Sequence, residues 1–253
     1  MRLQLTLITV LAAAAAGGTV FAQSPVVRGI NGSWEAYPLR GEGFGSGIQP
    51  KTPVKAPAPI PEPPLKQPYL DELRALQARN AELTKKGLPP PSTGMACIPE
   101  GMPGMMQSTF PMEILETPGQ VTIIQEAFTQ VRRIHLGATP VAPEDAEPRF
   151  AGHSTGRWEG STLVVETVGV KESARFRNTP HSMNMRITER MRLVNDEILE
   201  NVVTVVDPEF LTKPWTWTWM YKRWPGYKIE EYVCEDNRYF EDPAQRYQRL
   251  KVN

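Results

Sequence analysis

Between residues 183 and 224 apolar and polar side chains alternate, and a period of two is the mark of an extended strand with one buried face. Over 183–194, Met185, Ile187, Met191 and Leu193 share one face, while Arg186, Thr188, Arg190 and Arg192 take the other. Asn195-Asp196 supplies a tight turn into a second strand over 197–206. A third strand over 212–224 carries Trp215, Trp217, Trp219 and Tyr221 at every second position, and Pro225-Gly226 separates it from a fourth over 227–235.

Upstream the same reading continues. Segments 121–126 and 131–136 pair through a short loop. Segments 155–158 and 161–168 form a hairpin at Glu159-Gly160, and 32–37 is an earlier strand candidate. Eight or so antiparallel segments joined by short turns predict a mainly β domain. It is either an antiparallel, lipocalin-like barrel or a two-sheet sandwich, with one N-terminal helix. There is no repeat of fixed period.

The helix is expected from residue 68. Pro68 suits a first turn, Asp71 and Glu72 lie at the positive end, Lys85 and Lys86 at the negative end, and Gly87 stops it. Leu70, Leu73, Leu76 and Leu83 form a face sufficient for docking. Before it, residues 49–68 hold eight of the chain's 25 prolines and read as an extended arm that cannot enter a sheet interior. The opening residues read as a secretory leader: Arg2, an apolar stretch 3–16, and Val20-Phe21-Ala22 as a small-x-small cleavage site. The expected division is therefore a leader over 1–22, a strand and proline-rich arm over 23–67, a docking helix and linker over 68–91, and a β-barrel-like domain over 92–253.

Lys and Arg number 28 and Asp and Glu 28, so no charged footprint for nucleic acid or an anionic membrane exists. No segment after the leader is long and apolar enough to insert in a bilayer. These features place the chain in the periplasm or outside the cell. There, the two cysteines, Cys97 and Cys234, favour a disulfide over two buried thiols.

Three features bear on function. Glu189 stands in the apolar row of the 183–194 strand, where it must either find a partner or have its proton affinity raised by burial. It is therefore a candidate for proton transfer, or the partner of an inward arginine such as Arg157 or Arg133. The aromatic row Trp215, Trp217, Trp219 and Tyr221 either lines a pocket for a flat apolar ligand or fills the core. His153 and His181 both sit at strand entrances, where loops carry function, and with Glu189 they could supply a general acid and base without a cofactor. The three histidines lack metal-ligand spacing, and no nucleotide loop or serine-nucleophile elbow is present.

Several motifs occur together: Cys97-Ile98-Pro99 with Gly101-Met102-Pro103, Glu113-Ile114-Leu115-Glu116-Thr117-Pro118-Gly119, and Val131-Arg132-Arg133-Ile134. Further along stand Gly152-His153-Ser154-Thr155-Gly156-Arg157-Trp158-Glu159-Gly160, Pro180-His181-Ser182 and Tyr232-Val233-Cys234-Glu235. Across about 65–240 the chain resembles a widespread family of secreted bacterial proteins that carries this signature. The resemblance implies export and a shared β-rich fold, and it implies no reaction. The chain departs from the family pattern at Gly137-Ala138-Thr139, at Ser161 and at Met183, where the family carries Asp-Gly-Arg, an aspartate and an acid.

Taken together, the sequence predicts an exported soluble barrel that holds a small apolar or aromatic molecule. Candidate catalytic residues are His153, His181 and Glu189, for a cofactor-independent lyase, isomerase or hydrolase. Candidate ligand contacts are Arg157, Trp215, Trp217, Trp219 and Tyr221. The alternative is a non-catalytic carrier, and a third class is an envelope protein that uses the arm and the aromatics against a partner.

Overall fold

The computed structural model describes residues 29–39, 45–91, 97–107 and 109–234; the expected leader lies outside them. Nine strands close into one barrel in sequential order. They are β1 (Gly32–Tyr37), β2 (Met112–Thr117), β3 (Gln120–Gln125), β4 (Gln130–Leu136), β5 (His153–Glu159), β6 (Thr162–Val168), β7 (Arg186–Asn195), β8 (Ile198–Val206) and β9 (Trp215–Arg223). One α-helix, α1 (Tyr69–Lys85), lies outside the wall.

Besides β2, a strand absent from the sequence reading, three details differ from it. First, β4 and β5 run parallel, with Ile134 opposite Ser154. A parallel pair needs a connection that returns along the barrel, and residues 137–152, spaced by Pro140, Pro143 and Pro148, provide it. Second, β1 belongs to the barrel rather than to a separate N-terminal section. It pairs with β9 through Trp34 and Arg223 and with β2 through Trp34 and Met112, and so joins the ends of the sheet. Third, 227–233 forms no strand. With β9 already bonded to β8 and β1, no free edge remains for it. Tyr227 instead stacks on Trp224 at 4.0 Å and donates its hydroxyl to Glu126 at 2.5 Å.

The proline arm crosses the outside of the barrel. Lys51 N–H reaches Glu197 at the β7–β8 turn, while Pro61 and Pro64 accept from Trp215 Nε1 and Thr212 N–H at the other end. α1 docks beside it through the buried Leu73 and a 4.5 Å ring contact between Tyr69 and Phe210. Cys97 and Cys234 are bonded, with their Cα atoms 5.7 Å apart. Among the described residues no helix is long and apolar enough to cross a membrane.

Candidate functional site

At the end of the barrel where β6 and β8 finish and β7 and β9 begin, the interior meets the connecting segments; we call this end the mouth. Alternation along β9 turns Trp215, Trp217, Trp219 and Tyr221 inward, all at most 4% exposed. The row is a wall of the packed core rather than of an empty pocket. Met102, Met105 and Met106, carried by the turn around Gly104–Gln107, are buried against the same core. Phe176, from the β6–β7 connection, lays its ring against Trp215, Trp217 and Trp219 at centroid distances of 5.7, 5.4 and 5.7 Å. A cavity of only about 20 Å³ remains beside it, bordered by Thr179, His181, Met185 and Trp215.

Glu189 also points inward, fully buried, but it is not free to move a proton. One carboxylate oxygen pairs with Arg132 Nη2, the other accepts from Asn201 Nδ2 at 2.9 Å. Arg132 donates further to Ser154 Oγ at 3.1 Å and Thr167 Oγ1 at 2.9 Å, so the two opposite charges are paired inside the barrel, while Arg132 Nη1 and Asn201 Oδ1 have no hydrogen-bond partner among the described residues. The partner expected at Arg157 or Arg133 is therefore Arg132. Its signal was in the sequence: Arg132 lies two residues from Ile134, so both share the inward face of β4.

The remaining candidates lie elsewhere. Arg157 is on the outer face, bridged to Glu159 and Glu166. His153 precedes the inward Ser154 on β5 and so faces outward; its Nε2 lies 2.8 Å from the carbonyl of Glu147. His181 is buried at the mouth, with Nε2 and Nδ1 each 3.1 Å from the carbonyls of Ala174 and Ser182. His153 and Glu189 thus occupy opposite faces of the wall, and the acid–base set of His153, His181 and Glu189 is not assembled.

The structure brings together a different group above the mouth. A cleft of about 490 Å³ is lined by Glu100, Phe110, Phe128, Phe176, Arg177 and Asn178, among others. Its volume is that of a small-molecule pocket. The Glu100 carboxyl is raised above the ordinary carboxylate range by burial, and among the described residues no hydrogen bond or ion pair offsets that burial. Phe128, Arg177 and Asn178 hold left-handed backbones, with φ of 59°, 52° and 62°. Such conformations cost on the order of 1–3 kcal/mol each, and they concentrate where function holds them.

Among the described residues, the backbone-to-backbone hydrogen bonds of Glu172 to Pro180 run to residues within 171–180, such as Asn178 to Arg175 and Thr179 to Phe176. The segment is held to the barrel chiefly by the Phe176 ring, by His181, and by Ser182 bonded to Asp207. On its far side a second cleft of about 410 Å³ separates it from α1, between Leu76, Arg175 and His181.

The sequence reading missed Glu100, Phe128 and Phe176 because each sits in an irregular connection where no period shows which way a side chain points. Only Glu100 had a pointer, inside the Cys97-to-Pro103 motif. Among the described residues, no three His, Cys, Asp or Glu side chains are grouped to hold a metal ion. No family model and no curated protein matches the chain.

Proposed function

We propose that the protein is an exported binding protein that holds a small, flat, largely apolar molecule in the cleft above the barrel mouth. Binding rather than turnover is favoured because the candidate acid–base residues are separated and Glu189 is neutralised in the interior. The observation that carries the reading is the clustering of strained backbone at Phe128, Arg177 and Asn178 around one open cleft that also holds a desolvated carboxyl with no partner among the described residues. Three phenyl rings offer the apolar walls, and Glu100, Arg177 and Asn178 the few polar groups that orient a ligand. Export is supported by the leader-like opening residues and by the Cys97–Cys234 bond, which persists in an oxidising compartment.

Titration with N-phenyl-1-naphthylamine, a neutral two-ring dye that brightens in apolar surroundings, tests this. The full-length mature protein should give a saturable rise in emission. Phe128→Asp should weaken binding by at least about tenfold, roughly the loss of one well-packed ring contact. Thr216→Ala on the outer wall should not change it. Absence of saturable binding, or equal binding by Phe128→Asp, contradicts the proposal.

A further inference from the structure

Trp217 and Trp219 are 4% and 2% exposed, and their indole N–H groups have no acceptor among the described residues. Their neighbours in the same row are satisfied: Trp215 Nε1 donates to the carbonyl of Pro61 at 3.0 Å, and Tyr221 Oη to that of Met106 at 2.7 Å. Buried donors are normally paired, so two adjacent orphans mark a place where an acceptor belongs. Both of these rings touch Phe176, one stacked at 24° and one edge-on at 86°. Phe176 brings an aromatic ring to that place without any acceptor group.

We propose that Phe176 occupies the seat of a ligand ring, and that a flat, uncharged aromatic molecule bearing a carbonyl-type oxygen displaces it to lie against Trp217 and Trp219.

Three observations define the seat and its occupant. The segment carrying Phe176 bonds to itself rather than to the barrel and contains the left-handed Arg177 and Asn178, so its outward movement breaks few hydrogen bonds and can relieve strain. The cavity of about 20 Å³ that Phe176 borders also receives Thr179, whose hydroxyl is likewise buried and unpartnered among the described residues. Removal of the Phe176 ring therefore opens a seat for one ring and a short substituent. Charge decides the rest. The unpaired donors against Phe176 are neutral indoles; Arg132, whose Nη1 also has no hydrogen-bond partner among the described residues, is balanced in charge by Glu189, and Asp207 borders the same cavity. A carboxylate would enter a buried site next to an acid, where no Lys or Arg among the described residues borders the cavity to receive it, whereas a ketone or quinone oxygen brings no charge. This seat lies behind Phe176 and the cleft in front of it, so the two can be tested separately.

The test uses ¹H–¹⁵N spectra of the six indole N–H groups in wild type, Phe176→Ala and Phe176→Leu, titrated with acetophenone, α-methylstyrene and benzoate. α-Methylstyrene has the shape of acetophenone with CH₂ in place of the oxygen. Acetophenone should shift the Trp217 and Trp219 indole signals, assigned by single Trp→Phe variants. It should bind at least about tenfold tighter than either α-methylstyrene or benzoate, the effect of one satisfied buried donor. Phe176→Ala, with no ring to displace, should bind acetophenone more tightly than wild type; Phe176→Leu should give the same order of ligands if the alanine variant does not fold. Equal affinity for acetophenone and α-methylstyrene, unmoved Trp217 and Trp219 signals, or preference for benzoate overturns the proposal. Dye binding by the wild type and by Phe128→Asp, in both of which the Phe176 ring still closes the seat, reports the outer cleft.

Discussion

Arg132 and Glu189 meet inside the barrel with side chains 1% and 0% exposed, each the other's only opposite charge among the ion pairs of the described residues. Neither charge can reach water. Glu189→Gln or Arg132→Met alone should therefore strand the other charge and destabilise the fold by about 3–5 kcal/mol. The double variant Arg132→Met/Glu189→Leu should recover most of that loss. Urea unfolding of all three checks this, and equal losses in the double and single variants would show that the pair is not acting as a unit.

The Cys97–Cys234 bond closes a separation of 137 residues. In the chain-entropy model a loop of this length stabilises by roughly 4–5 kcal/mol. Cys97→Ala/Cys234→Ala should lower the unfolding free energy by a comparable amount without altering barrel circular dichroism. Reductant should shift the wild type, and leave the double variant unchanged.

Glu100 gives the cleft a pH signature. Its carboxyl is raised in the folded state by burial, so between the ordinary carboxylate value and that higher value the folded chain binds more protons than the unfolded chain. Stability should fall as pH rises through this window, and Glu100→Gln should remove that part of the slope and be the more stable protein at neutral pH. Unfolding free energies of both proteins from acid to neutral pH measure it. A difference that stays constant with pH would show that Glu100 is not desolvated.

The barrel was readable from the sequence wherever side chains alternate. The Trp215-to-Tyr221 row and the Met185, Ile187, Glu189, Met191 face fix which side of β7 and β9 is buried. The same period on β4 identifies Arg132 as the inward arginine. Closure was less legible, since pairing of β1 with β9 is a contact between residues nearly two hundred positions apart and leaves no local pattern. The parallel β4–β5 pair, Ile134 opposite Ser154, was hidden because alternation shows which face is buried and not the direction in which a neighbouring strand runs. The mouth was the least legible part: the side chains of Glu100, Phe128 and Phe176 take their directions from irregular backbone, including left-handed turns at Phe128 and Arg177 that no propensity favours.

His153 and His181 were attractive as an acid–base pair, yet both ring environments are backbone carbonyls. His153→Ala should leave dye binding within about twofold of wild type, as expected for an outward side chain remote from the cleft. His181→Ala removes the ring that ties Ala174 to the end of its segment, and should loosen residues 172–180. Hydrogen exchange at Ala174 to Thr179 should accelerate in that variant while exchange in β8 stays unchanged.

The placement of the dye tests the central claim most directly. A crystal structure of the protein with N-phenyl-1-naphthylamine should show its rings between Phe110, Phe128 and Phe176, within contact distance of Glu100 or Asn178. Density for the dye only between neighbouring molecules of the lattice, or only in the groove beside α1, would contradict the assignment of the mouth cleft as the binding site.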